Sequence, residues 1–225
     1  MSDPVFVSFE GGDGSGKTTQ ASMLSSAMID AGYPTILVHD PGSTSFGNYL
    51  RQYIKNQDRL LCNEAELLVF GAARSQLVSE KIRPALAEGT NVITDRYTDS
   101  TIAYQGYGRG IDQEMIVLLN SIATHGLEPR VTFLMDVDPA KAHRQVGYQQ
   151  LLLPLEPHFQ SYAEEDQEQR RFENMPLEFH RIVREGYLSL AKNDLERWVI
   201  LDATLPQEEI AANVWQRMRK LLEQA

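Results

Sequence analysis

Short apolar runs alternate with longer amphipathic stretches along this chain. After Pro4, Val5 to Glu10 reads VFVSFE, a β-type run. Thr35–Asp40, Asn91–Asp95, Arg130–Asp138 and Trp198–Asp202 are runs of the same kind. Between them the period lengthens. Met23, Leu24, Ala27 and Met28 recur at helical spacing, and Gly32 stops that helix. Asn63 to Glu88 predicts a long helix with a bend near Pro84. Asp112 to Gly126 predicts another, capped by Asp112, and Pro206 opens a last amphipathic helix reaching Leu222. Apolar strands separated by helices predict an α/β fold, a parallel sheet with both faces covered. Gly147–Arg171 breaks the rhythm. It holds Pro154 and Pro157, the apolar patch Leu151–Leu153, and the acids Glu164, Glu165, Asp166 and Glu168, and it reads as an insertion between elements.

Composition narrows the function classes. The 225 residues suit one domain, residues 1–225, with 42% hydrophobic and 23% charged positions. The formal net charge is −10 and no Lys/Arg cluster occurs, which argues against a nucleic-acid polymer as partner. Cys62 is the only cysteine, so neither an intrachain disulfide nor a cysteine metal site is available, and a reducing cytoplasm fits. No apolar run is long enough for a membrane span, and the N-terminus carries no signal-peptide pattern.

The candidate chemistry starts at Gly11. Gly11 to Thr18, GGDGSGKT, fits G-x-x-x-x-G-K-[ST], between a predicted strand and a predicted helix. Gly11, Gly12, Gly14 and Gly16 let the backbone turn its N–H groups around an anion, with Asp13 and Ser15 between them. The helix that begins there adds its positive dipole end, at Lys17 to Thr19. Lys17 can reach the β- and γ-phosphates of ATP, and the Thr18 hydroxyl can ligate Mg²⁺.

Three further segments offer an acceptor site. Asp95 and Arg96 follow the third strand; the carboxylate suits Mg²⁺ and the guanidinium a phosphate, although Asp-Arg is also a common surface pair. Phe70 and Arg74 share a helix face, as a base-stacking ring beside a hydrogen-bonding fork would. Spacing alone favours a core Phe with a snorkelling Arg. Arg51 supplies a third cation after the turn DPGST that begins at Asp40.

The combination of GGDGSGKT, DPGST, FGAARSQ, DRYTDSTIAYQGYGRG, DVDP and RRFEN resembles bacterial thymidylate kinase, in the P-loop nucleoside-monophosphate kinase group, over almost the whole chain. The resemblance implies a five-stranded parallel sheet flanked by helices, with a mobile lid at about residues 142–174. It implies transfer of the γ-phosphate of MgATP to dTMP, giving dTDP. Phe70 would stack on thymine and Arg74 bond its carbonyl. Arg51 and Arg96 would hold the dTMP phosphate. Ser100, with Thr101 beside it, and Gln105 would meet the base. Tyr104 would close the ribose side, with Asp13 and Asp40 near the acceptor. It also implies a homodimer, with Glu66–Val78 apolar enough to supply an interface or, equally, an internal helix.

The chain departs from the family pattern in places. Members with small residues at the loop positions of Gly14 and Ser15 carry a catalytic lid arginine. Arg171 aligns with it, and Arg170 stands where Asp is usual. The insertion precedes this pair, and its acids predict a segment projecting into solvent, away from ATP phosphates. A kinase for another pyrimidine nucleotide, or a nucleotide-binding regulator without turnover, are the alternatives. The latter fits less well because Lys17, Arg96 and both lid arginines are present.

Overall fold

The computed structural model describes residues 3–55, 61–142, 172 and 175–223. Five strands form one parallel sheet in the order β2-β3-β1-β4-β5: β1 Phe6–Gly11, β2 Thr35–His39, β3 Asn91–Asp95, β4 Val131–Asp136 and β5 Trp198–Asp202. All six β1 residues are buried, as a strand covered on both faces must be.

Alternation along β1 sends its side chains into two cores. Val7 and Phe9 pack with α1 (Lys17–Asp30) and the C-terminal helix α8 (Gln207–Leu222), through Leu24, Met28, Val214 and Met218. Phe6 points the other way, toward Leu77, Val78 and Ile82. Those three belong to a helical rod in which α3 (Asn63–Leu77) passes through a π turn at Val78–Ile82 into α4 (Arg83–Ala87). The interruption expected near Pro84 is therefore this π turn, which ends just before it.

After β3, the short α5 (Thr98–Thr101) runs into a second π turn, Ile102–Gly108. Helix α6 (Gln113–Thr124) follows, with the Asp112 carboxylate accepting from the N–H groups of Glu114 and Met115. The pattern reading did not anticipate α2 (Ser45–Lys55) or α7 (Leu177–Asn193). Helix α7 lies on the second π turn; Phe179, Val183 and Tyr187 form a core with Tyr104, Leu134 and Trp198.

The chain winds from β1 to one edge of the sheet, then crosses β1 to the other edge. The carboxyl end of β1 is thus at the reversal of strand order, where open parallel sheets receive ligands. Arg170, Arg171 and the insertion Gly147–Gln169 lie outside the described residues.

Candidate active site

The loop after β1 is built by backbone conformations that side chains resist. Gly11 has φ 141°, and a Cβ there would stand 2.6 Å from the Met135 carbonyl oxygen; Gly16, at φ 87°, is the left-handed cap of α1. Gly14, Gly16, Thr18 and Thr19 face solvent, while Ser15 and Lys17 turn inward. Lys17 Nζ donates to the Gly12 carbonyl at 2.7 Å. Burial, assisted by Arg96, pushes its ammonium down to about 8. The loop borders a cleft of about 380 Å³, whose lining includes Gly12, Asp13, Met135, Arg184 and Tyr187.

Two hard oxygen donors meet at the start of α1. The Thr18 hydroxyl donates to Asp95 Oδ2 at 2.5 Å. Asp95 ends β3, whose register places it beside Phe9 of β1 and His39 of β2. Among the described residues no three His, Cys, Asp or Glu gather to hold a metal. A hydroxyl and a single carboxylate suit Mg²⁺, which completes its shell with water and phosphate oxygens.

Arg96 has φ 70°, a left-handed conformation that non-glycine residues adopt at a cost of about 1–3 kcal/mol. The turn carries its guanidinium back over the loop. Nη2 donates to Asp13 Oδ1 at 2.5 Å and to the Tyr104 hydroxyl at 3.2 Å, and Nη1 donates to the Gly11 carbonyl at 3.1 Å. Tyr104 closes the triangle by donating to Asp13 Oδ2 at 2.9 Å. Burial alone would raise the Asp13 carboxyl, but Arg96 and Lys17 hold it below its ordinary value.

Beneath Arg96 lies a carboxylate that the sequence reading missed. Glu10, fully buried at the end of β1, accepts from the Tyr97 N–H at 2.7 Å, the Ser100 hydroxyl at 2.6 Å and the Tyr187 hydroxyl at 3.1 Å. Burial, then the nearby Asp99, raises its carboxyl to about 7. Both hydroxyls also accept from Arg96 Nη1, so Glu10 holds the guanidinium through them. Ser100 is accordingly engaged inside this network.

Arg74 is the largest difference from expectation. The family resemblance implied a guanidinium offered to a thymine carbonyl; Arg74 is instead only 1% exposed. Nε donates to Asp40 Oδ2 at 2.5 Å and Nη1 to Asn120 Oδ1 at 2.7 Å. Nη2 donates to the Tyr97 carbonyl at 3.1 Å and the Thr101 hydroxyl at 2.9 Å. It joins the end of β2, α5 and α6, leaving one of its five N–H groups outside these bonds. Phe70 remains partly exposed, with its ring 6.2 Å from that of Phe172. Arg51, on α2, donates to the Pro41 carbonyl at 2.9 Å. Burial raises the Asp40 carboxyl, opposed by Arg74 and then by Arg51 and Arg96, so three cations converge around this acid. Gln105 is buried and donates to Glu66 at 2.9 Å, a contact the sequence did not suggest.

Comparison with known proteins agrees with this architecture. The family model for thymidylate kinase matches residues 9–214. A thymidylate kinase of Solidesulfovibrio magneticus is 41% identical over 219 residues, covering 97% of this chain and all of the relative. One from Deinococcus radiodurans is 37% identical over 215 residues, covering 96% of both chains. The crystal structure of thymidylate kinase from Ehrlichia chaffeensis superposes with a TM-score of 0.73 at 29% identity, covering 96% of this chain and 99% of that one. A parallel five-stranded sheet, a phosphate loop at the end of its central strand, and relatives matching over nearly full length place the chain in the thymidylate kinase family, whose reaction it shares: phosphorylation of dTMP to dTDP.

Proposed function

We propose that the γ-phosphoryl group of ATP passes to dTMP across the space between the Gly11–Thr18 loop and the Arg96 cluster. The observation that carries this assignment is the Asp13–Arg96 pair, which links a residue of the phosphate loop to the cation after β3. Lys17 and the loop N–H groups take the donor phosphates. Thr18 and Asp95 hold Mg²⁺, which when bound neutralises charge on the phosphate oxygens. Arg51 and Arg96 aim the acceptor phosphate, Phe70 stacks on the base, and Asp13 and Tyr104 meet the sugar. Arg74 acts on the base chiefly by fixing Asp40 and Thr101, while Gln105 reaches it directly. The acceptor oxygen is already anionic at neutral pH, so positioning and charge stabilisation carry the step, without a strong general base. Arg170 or Arg171, within the same single domain, completes the charge balance on the transferred group. With dTMP and ATP, the protein is expected to form dTDP and ADP, and EDTA to abolish this. Undiminished dTDP formation in EDTA contradicts the Thr18–Asp95 assignment.

We also propose a homodimer joined through α3 and α6. Met115, Leu118 and Ile122 form one exposed apolar stripe on α6, and Leu68 is exposed on the adjoining α3. Apolar helix faces of this kind mark protein–protein contacts. Ile122→Glu should convert the dimer to a monomer in sedimentation equilibrium; a wild-type protein that sediments as a monomer overturns this. Among the described residues no helix is long and apolar enough to cross a membrane. The single cysteine and acidic composition favour the cytoplasm as the site of action.

A further inference from the structure

We propose that Glu66 is a positioning residue for base choice: with Arg109, it fixes which end of the Gln105 amide faces the acceptor base. The proposal rests on reading Gln105 as a base contact. Glu66 lies in the first turn of α3, just before its apolar run, and is fully buried. Arg109 approaches its carboxylate with two nitrogens, Nε at 3.3 Å from Oε1 and Nη2 at 3.2 Å from Oε2. The guanidinium is itself held against the rings of Phe172 and Phe179, 5.5 and 5.2 Å from their centroids. Gln105 Nε2 donates to Oε1 of the same carboxylate at 2.9 Å.

A carboxylate paired with a guanidinium only accepts hydrogen bonds. The Gln105 amide can therefore turn only its NH₂ toward Glu66. The reverse orientation would set a carbonyl oxygen against a carboxylate. Gln105 is 2% exposed, and no described residue donates a hydrogen bond to its Oε1. That oxygen is the end left for the base. An acceptor oxygen suits a base with N–H at position 3, as thymine and uracil have. It opposes cytosine, whose N3 is itself an acceptor. A glutamine alone could flip to serve either base; the carboxylate behind it removes that freedom.

The test is the ratio of kcat/KM for dTMP to that for dCMP, with ATP saturating. In Glu66→Gln a neutral amide can donate or accept, Gln105 regains both orientations, and the ratio is expected to fall about 10- to 100-fold, the range of one mismatched buried hydrogen bond. A purely structural role would lower both substrates together and leave the ratio unchanged, and that result overturns the proposal. Should the single variant fold poorly with Arg109 unpaired, Glu66→Gln/Arg109→Gln leaves no lone charge and is expected to show the same fall. Gln105→Leu separates the two readings. If it leaves kcat/KM for dTMP at the wild-type value, Gln105 does not contact the base. If it impairs dTMP while the Glu66 variants keep the wild-type ratio, the contact stands and the positioning role is wrong.

Discussion

Lys17→Ala is expected to lower the turnover of dTMP by about 10²–10³-fold, the usual loss when one charge-stabilising contact to a transferring group is removed. The folded state should tolerate the change. The Lys17 ammonium donates to the Gly12 carbonyl at 2.7 Å and to the Ser15 hydroxyl at 3.5 Å, both within its own loop. Burial already opposes that charge and, with Arg96, pushes the ammonium down to about 8. Phosphate oxygens arriving in the loop favour the charged form and reverse the effect. Alanine therefore removes a group whose charge costs free energy until nucleotide binds. Steady-state kinetics and a thermal melt check the two halves together. Near-normal turnover would show that the loop lysine takes no part in the step, and a collapsed melting temperature would show a structural role instead.

Arg74→Met is expected to act in the opposite way, on stability first, by about 3–5 kcal/mol, the cost of breaking one side of a buried ion pair. Methionine fills much of the arginine volume but supplies no donor. Asp40 would keep a buried carboxylate without its 2.5 Å partner, while Asn120, Thr101 and the Tyr97 carbonyl would each lose a hydrogen bond. Arg51 and Arg96 act on Asp40 too and offset part of the loss. Denaturant unfolding measures the effect. An arginine serving only as a base contact would leave the unfolding midpoint unchanged when replaced, so an unshifted midpoint contradicts the role assigned to it here.

The contrast between these two residues shows what the sequence could and could not reveal. The phosphate loop is local: its glycines, Lys17 and Thr18 lie within eight consecutive positions, Gly11 to Thr18, and dictate each other's geometry. The strands were equally legible, because strands of a parallel sheet are buried on both faces and read as continuous apolar runs. Arg74 was not. Helical spacing gave the face it shares with Phe70, but not that Asp40, Thr101 and Asn120, from three separate elements, would close over it. Glu10 carried a signal, a lone acid ending an apolar strand, yet its partners Ser100 and Tyr187 are far away in sequence. The period of α7 was also present in Phe179, Val183 and Tyr187, directly after the insertion that masked the rhythm. Helix α2 carried a clear period too, in Phe46, Tyr49, Leu50, Tyr53 and Ile54, and the pattern reading passed over it. The two π turns depend on how the helices pack and have no comparable local mark.

The measurement that tests the central claim most directly is ADP release with a panel of acceptor monophosphates at fixed ATP and Mg²⁺. If Phe70 stacks on the base and Gln105 presents it an acceptor oxygen, as proposed, dTMP is expected to give the highest kcat/KM. dUMP lacks only the methyl group and should be a weaker substrate by about 10–200-fold, the discrimination a pocket draws from one such group. AMP, GMP and CMP should trail further. A preference for AMP or CMP over dTMP would contradict the account.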